Sequence, residues 1–291
     1  MANQLVWLIT GCSSGLGEAV AYAILAKGDK VVATARPRDG VSGRERLAAL
    51  EAAGAAVVEL DVTESQESLD AKAKQIWDIY GHIDVLLNNA GFIDAGIFEE
   101  INEQVLVNSL RNNVLGPLNL TRSFLPSMRA RQTGTVLFMS SVGAYYGAPG
   151  ASNYSASKGL LEGIVPNMAA ELAPFGIRFC LLTPGYFRTK VMTPGNIHYF
   201  SGPNQRSEYK EMNKLVQDHC NAADSKQPGD PHKAAVLIVD AVRAEGRCAG
   251  KTLPLRLPIG PDGFKAVKDN CAEKMAICEE WGEIMADTDL S

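Results

Sequence analysis

The chain has 291 residues, 46% of them hydrophobic and 21% charged, which is enough apolar material to bury a full core as one large domain spanning residues 1–291. A formal net charge of -5 gives no general attraction to nucleic acid or to anionic membrane surfaces, so neither is expected as a main partner. Six cysteines, at 12, 180, 220, 248, 271 and 278, show no CxxC spacing and only four histidines are present, so no disulfide framework and no metal site is expected, only free thiols in a reducing compartment.

The opening MANQLVWLITG has no basic stretch followed by a long apolar one, and no run nears the ~20 residues of a membrane span, so a cytoplasmic location without a membrane span is expected. The first apolar run, LVWLI at 5–9, reads as a buried strand. It leads into TGCSSGLG at 10–17, with glycines at 11, 15 and 17, and a helical pattern over roughly 16–27. Glycines let the backbone turn tightly and approach a pyrophosphate, which then rests on the positive N-terminus of the helix. The spacing is neither G-x-G-x-x-G nor a P-loop, so its weight comes from its position between a first strand and a first helix. The second strand, KVVATA at 30–35, ends on Ala35, where an NAD-preferring site commonly carries an acidic ribose ligand, and Arg36 follows. A guanidinium there can pair with a 2′-phosphate, which favours NADP(H) over NAD(H) unless Arg36 and Arg38 are solvated loop charges.

A helical pattern over 44–53 precedes a strand at 55–60, and Asp61 directly beyond it is placed to hydrogen-bond an adenine edge. A helix over 65–80, a strand at 83–88 and the tight turn Asn88, Asn89, Ala90, Gly91 follow, the turn fitting the adenosine side of a dinucleotide. Then come a long helix over 101–130, a strand at 135–139, a helix over 153–173 and a strand at 177–182. Such alternation predicts an α/β fold of the doubly wound Rossmann type, a parallel sheet with ligands at the carboxyl ends of its strands. The helix over 153–173 opens with Tyr154 and Lys158, and on a helix positions i and i+4 share a face with Cβ atoms roughly 5–6 Å apart. The ammonium would lower the phenol's pKa from about 10. Tyr186 with Lys190 repeats the spacing, so spacing alone leaves open whether either pair reacts. Pro166 inside the same helix should kink it and remove one hydrogen bond.

From Val191 to Gly229, Pro194, Gly195, Gly202, Pro203, Pro228 and Gly229 surround a short helical pattern near 205–220. The stretch, about 190–229, suits a lid over a substrate site or a passive surface excursion. A short strand, TLPLRLP at 252–258, and a helix near 262–286 close the chain with no linker-like composition before them.

Five motifs stand in order along this pattern: TGCSSGLG at 10–17, LDVT at 60–63, NNAG at 88–91, SSVGA with YSASK at 140–158, and TPGYFRT at 183–189. With them the chain resembles the short-chain dehydrogenase/reductase family over nearly its whole length. The stretches NVLGPLNLTRSFLPSMR at 113–129 and ELAPFGIR at 171–178 are similar to the branch of hydroxysteroid and retinol dehydrogenases and fungal carbonyl reductases.

The resemblance implies catalytic roles for Asn113, Ser141, Tyr154 and Lys158, which makes Tyr154 and Lys158 the reacting pair. Tyr154 is the expected acid or base, Ser141 the hydrogen-bond donor to the carbonyl oxygen, and Lys158 the modulator of Tyr154 and holder of the nicotinamide ribose. Asn113 supports a water linking Lys158 to solvent. The resemblance further implies cofactor contacts from Gly11, Ser13, Ser14, Gly15, Leu16, Gly17, Arg36, Asp61, Val62, Asn89, Ala90, Gly91, Pro184, Gly185 and Thr189. Substrate contacts are expected from Val142, Gly143 and Tyr146, from Phe92 to Gly96, from Tyr186 and Phe187, and from Met192, His198, Tyr199 and Phe200. The expected activity is hydride transfer between NADP(H) and a ketone or secondary alcohol of a bulky, lipophilic, steroid-like or polyketide-like molecule. A non-redox dehydratase or epimerase and an NADP(H)-binding sensor are the alternatives. A homodimer or homotetramer is the expected assembly, although Pro166 lies in a helix that the family uses for it.

Overall fold

A computed structural model describes residues 4–193, 196–200, 205–286, 288 and 290. The expected residues Pro194, Gly195, Gly202 and Pro203 lie outside these. The strands are β1 (Val6–Ile9), β2 (Lys30–Ala35), β3 (Ala56–Glu59), β4 (Val85–Asn88), β5 (Ile93–Ala95), β6 (Gly134–Met139), β7 (Ile177–Pro184), β8 (Ile197–Tyr199) and β9 (Arg256–Ile259). The helices are α1 (Gly15–Ala26), α2 (Ala48–Ala52), α3 (Gln66–Tyr80), α4 (Glu103–Leu110), α5 (Gly116–Arg131), α6 (Ser152–Leu172), α7 (Lys210–Ala223), α8 (Pro231–Arg243) and α9 (Pro261–Met285).

Seven strands form one parallel sheet in the order β3-β2-β1-β4-β6-β7-β9. The doubly wound α/β expectation is met. Strand periodicity divides the apolar residues between two cores, with Trp7 and Ile9 facing the layer of α1 and α8, and Val6 and Leu8 facing that of α3, α5 and α6. The chain order reverses between β1 and β4, which places the crevice of a doubly wound sheet at their carboxyl ends. Among the described residues no helix is long and apolar enough to cross a membrane.

Three departures from the sequence pattern matter for the site. The helix expected over 101–130 is broken into α4 and α5 by a π-turn at Arg111–Leu115, which contains Asn113. Gly116, just beyond the turn, packs so closely that an added Cβ would lie 2.6 Å from the Val62 carbonyl oxygen. Helix α8 was not anticipated, although Asp230-Pro231 is a start signal: the Asp230 carboxylate caps the His232 and Lys233 amides and Pro231 stands at the first turn. Strands β5 and β8, three residues each, pair in parallel as a separate two-stranded sheet. They are too short to leave a periodic signal. Helix α6 runs unbroken through Pro166, and the Glu162 carbonyl, which a proline at i+4 cannot engage, accepts a 3.0 Å hydrogen bond from Arg256.

Candidate active site

The glycine turn and the turn after β4 build one floor. Gly11 and Gly15 take φ of +72° and +68°, left-handed values that exclude side chains at little cost only for glycine. Thr10 Oγ1 accepts from the amides of Asn89 and Ala90 at 3.0 and 2.9 Å, and Asn89 Nδ2 donates to the carbonyls of Thr10 and Gly11 at 2.9 and 3.1 Å. Asn89 therefore holds the shape of the turn. Gly17 faces inward, where a Cβ would lie 2.6 Å from the Gly11 oxygen, so its part is close packing of α1 on the turn rather than lining the cavity.

A cavity of about 850 Å³ opens above this floor. At one end it is lined by Gly11, Ser13, Ser14, Gly15 and Leu16 of the turn, by Asp61 and Val62 after β3, and by Ala90 and Gly91 after β4. Asp61 is preorganised by the Thr63 amide and hydroxyl, which donate to its Oδ1 at 2.8 and 2.7 Å. Arg36, Arg38 and Arg46 line the same cavity. Arg46, absent from the sequence expectations, donates to the Arg36 carbonyl at 2.8 Å and to Ser13 Oγ at 2.9 Å. Its burial, with Arg38 and Arg36 nearby, holds its pKa below the ordinary arginine value. No local pattern marks Arg46, because it lies in the turn before α2 and only the fold brings it beside Arg36. Pro184, Gly185 and Thr189 line the cavity beyond β7, with Thr189 packed over Gly15 at a distance that would put a Cβ there 3.3 Å from its own.

Ser141, Tyr154 and Lys158 share the cavity wall. Ser141 lies beyond β6 and its Oγ accepts from the Gly143 amide at 3.1 Å. Lys158 is 5% exposed, donates to the Met139 carbonyl at 2.7 Å, and stands with Nζ 5.7 Å from the Tyr154 ring centroid. Burial lowers its pKa to about 8. Tyr154 is half-buried, and desolvation raises its pKa, opposed by a hydrogen bond with Ser141. Burial is the largest influence on the phenol's pKa in this structure and raises it, and the lowering expected from Lys158 is not among the influences on it. Asn113 is buried just below the wall, where it binds the Phe92 amide and carbonyl at 3.1 Å each and donates to Ser157 Oγ at 3.2 Å.

The apolar end is lined by Val142, Gly143, Tyr146, Tyr186 and Met192, with the Tyr146 and Tyr186 hydroxyls 2.9 Å apart. Phe187 also borders the cavity, but it is 8% exposed and packs into the core against Gly229 and Gly260, an anchor more than a wall. Tyr199 is not among the lining residues; its buried hydroxyl lies beside Cys220, and burial raises its pKa. The next strand position, His198, lines the cavity in its place. Lys190 stands in the turn after Thr189, off the helix that would align it with Tyr186. Helix α7 presents Met212, Leu215, Val216 and His219 to the cavity. Among the described residues no group of three or more His, Cys, Asp or Glu could hold a metal ion.

The donor set suits a dinucleotide: glycine turn, helix N-terminus, the Asp61 carboxylate and clustered guanidinium groups along one continuous cavity. The family model for short chain dehydrogenase matches residues 5–198. Oxidoreductase BOA17 of Botryotinia fuckeliana is 30% identical over 285 residues, covering 96% of this chain and 97% of that protein. Human 17-beta-hydroxysteroid dehydrogenase type 1 is 32% identical over 256 residues, covering 84% of this chain and 75% of that one. The crystal structure of a short-chain dehydrogenase from Streptomyces avermitilis superposes with a TM-score of 0.84 at 37% identity, covering 99% of this chain and 100% of the other.

Proposed function

Since the chain belongs to the short-chain dehydrogenase/reductase family, we propose that it is an NADP(H)-dependent oxidoreductase acting on a ketone or secondary alcohol of a bulky, weakly polar substrate. The observation that carries this reading is that Ser141, Tyr154 and Lys158 stand in the wall of one cavity that also holds the glycine turn and three arginines. Gly11, Ser13, Ser14, Gly15 and Leu16 would hold the pyrophosphate, Asp61 and Val62 the adenine, and Asn89, Ala90 and Gly91 the adenosine side. Arg36, Arg38 and Arg46 would hold the 2′-phosphate, and Pro184, Gly185 and Thr189 the nicotinamide side. Bound there, the nicotinamide supplies or accepts the hydride.

The chain's own groups handle the proton and the developing charge. Tyr154 gives its hydroxyl proton to the carbonyl oxygen in reduction and takes it back in oxidation. Ser141 Oγ donates a hydrogen bond to that oxygen and orients it. A lysine with a pKa near 8 can lose and regain a proton close to neutral pH, so Lys158 can resupply the phenol. Asn113, held by the Phe92 backbone in the π-turn, would support a water that links Lys158 to solvent. Residues 1–291 act as one domain, with the segment at about 190–229 as the lid, in a cytoplasmic homodimer or homotetramer.

The test is consumption of NADPH and NADH against ketones ranging from small diketones to fused-ring polyketides. Turnover of bulky ketones with NADPH preferred is the expected result, and Tyr154→Phe should lower it by about 100-fold or more while NADPH affinity changes little. Retained turnover in that variant would remove Tyr154 from its role. Reaction without stoichiometric NADPH consumption would replace the reading by a dehydratase or epimerase.

A further inference from the structure

His198 in the cavity wall and the buried Asp94 behind it form a polar pair that neither the hydride nor the proton transfer uses. Asp94 on β5 and His198 on β8 are register partners, and Asp94 Oδ1 lies 3.5 Å from His198 Nδ1. Asp94 is 2% exposed and its Oδ2 has no hydrogen-bond partner. Burial raises its pKa, opposed by His198 and Ser109. An under-satisfied buried carboxylate is costly as packing material, whereas a carboxylate behind an imidazole fixes the ring's orientation and tautomer. The other constraint on the ring is Phe92, stacked on His198 with centroids 5.0 Å apart and planes at 28°. Phe92 is tied through its backbone to Asn113 in the π-turn. His198 is therefore oriented from two sides, with Nδ1 toward Asp94, and its half-exposed ring lines the cavity.

We propose that His198, positioned by Asp94, is a second polar anchor for the substrate, and that the substrate is bifunctional: an apolar ketone or alcohol carrying a phenolic or alcoholic hydroxyl away from the reacting carbon. This deepens the oxidoreductase reading and rests on it. With Nδ1 facing Asp94 at 3.5 Å, Nε2 is the ring atom that would pair with the substrate hydroxyl, as acceptor or donor according to the tautomer. Around His198 the cavity receives Ile197, Met212, Leu215 and Val216, apolar groups that offer a hydroxyl no partner, and His219 is the competing imidazole that the test must separate. Burying that hydroxyl unpaired would weaken binding about 10-fold, so the anchor discriminates between molecules that differ only in that group.

The test uses matched probes, 4-(4-hydroxyphenyl)butan-2-one and 4-phenylbutan-2-one, titrated calorimetrically into the NADP-loaded protein. Wild type should bind the hydroxylated probe about 10-fold more tightly. His198→Phe, which keeps the stack on Phe92, should make the two affinities equal. Asp94→Asn should shrink the difference, and His219→Phe should leave it unchanged. Equal or undetectable affinity for both probes in wild type overturns the proposal, as does a difference that survives His198→Phe or disappears in His219→Phe. NADPH oxidation with the same pair separates the two readings: discrimination in binding without oxidation of either ketone removes the oxidoreductase reading and leaves the anchor standing.

Discussion

Burying Lys158 in the cavity wall opposes folding. Its pKa falls from 10.5 to about 8 because burial penalises the ammonium. Below pH 8 the lysine is charged in both states and the folded state bears the full desolvation cost. Between 8 and 10.5 the unfolded chain holds a proton that the folded one has released, so stability from this group rises with pH; above 10.5 the cost is gone. Lys158→Met should therefore abolish turnover yet stabilise the protein at pH 7, by at most on the order of 3 kcal/mol, and the gain should fade toward pH 10.5. Thermal denaturation at pH 7 and pH 10 measures it; no gain at pH 7 would mean that the Met139 carbonyl already offsets the burial. At the other end of the cavity, Arg46→Ala should weaken NADPH by roughly 10-fold or more and NADH little, since a charge-assisted hydrogen bond contributes about 1.5–3 kcal/mol. Fluorescence titration with both cofactors reads the difference, and equal losses would detach Arg46 from the 2′-phosphate.

Helices α5 and α6 show how elements absorb local breaks near the site. Pro166 leaves the Glu162 carbonyl without its helical donor, and Arg256 on β9 fills the gap while its Nε binds the Glu162 carboxylate at 2.7 Å. Glu162 in turn accepts from Ser140 at 2.7 Å, so this bridge reaches the residue beside Ser141. Arg256→Ala should cost about 1–2 kcal/mol, a modest figure because the guanidinium is partly solvated. Pro166→Ala should be more favourable in that background than in wild type by about 1 kcal/mol, because the new amide then satisfies an orphaned carbonyl. A double-mutant cycle by urea denaturation tests the coupling, and strict additivity would refute it.

At the scale of the molecule, the segment that follows β7 is fastened at named points. The carboxylate of Glu100, 1% exposed, accepts from the Arg206 amide at 2.8 Å and from Asn213 Nδ2 at 2.6 Å, and Glu99 accepts from the Tyr209 hydroxyl at 2.6 Å. Helix α7 thus hangs from the loop before α4 with Met212, Leu215 and Val216 toward the cavity. Glu100→Ala should raise KM for bulky ketones several-fold with NADPH affinity unchanged, and speed amide exchange in α7; unchanged exchange would show that the carboxylate does not hold the helix. The strand alternation was legible in advance because buried parallel strands are apolar at nearly every position, as in LVWLI and TVLFM. Ser141, Tyr154 and Lys158 were legible only through the motifs SSVGA and YSASK that carry the family resemblance, because Tyr186 and Lys190 repeat the spacing of Tyr154 and Lys158. The place of Arg46 beside Arg36, the π-turn around Asn113, the pairing of Asp94 with His198 and the repair of Pro166 by Arg256 were decided by tertiary structure alone. Each depends on groups brought together from different elements, and local periodicity carries no record of such contacts.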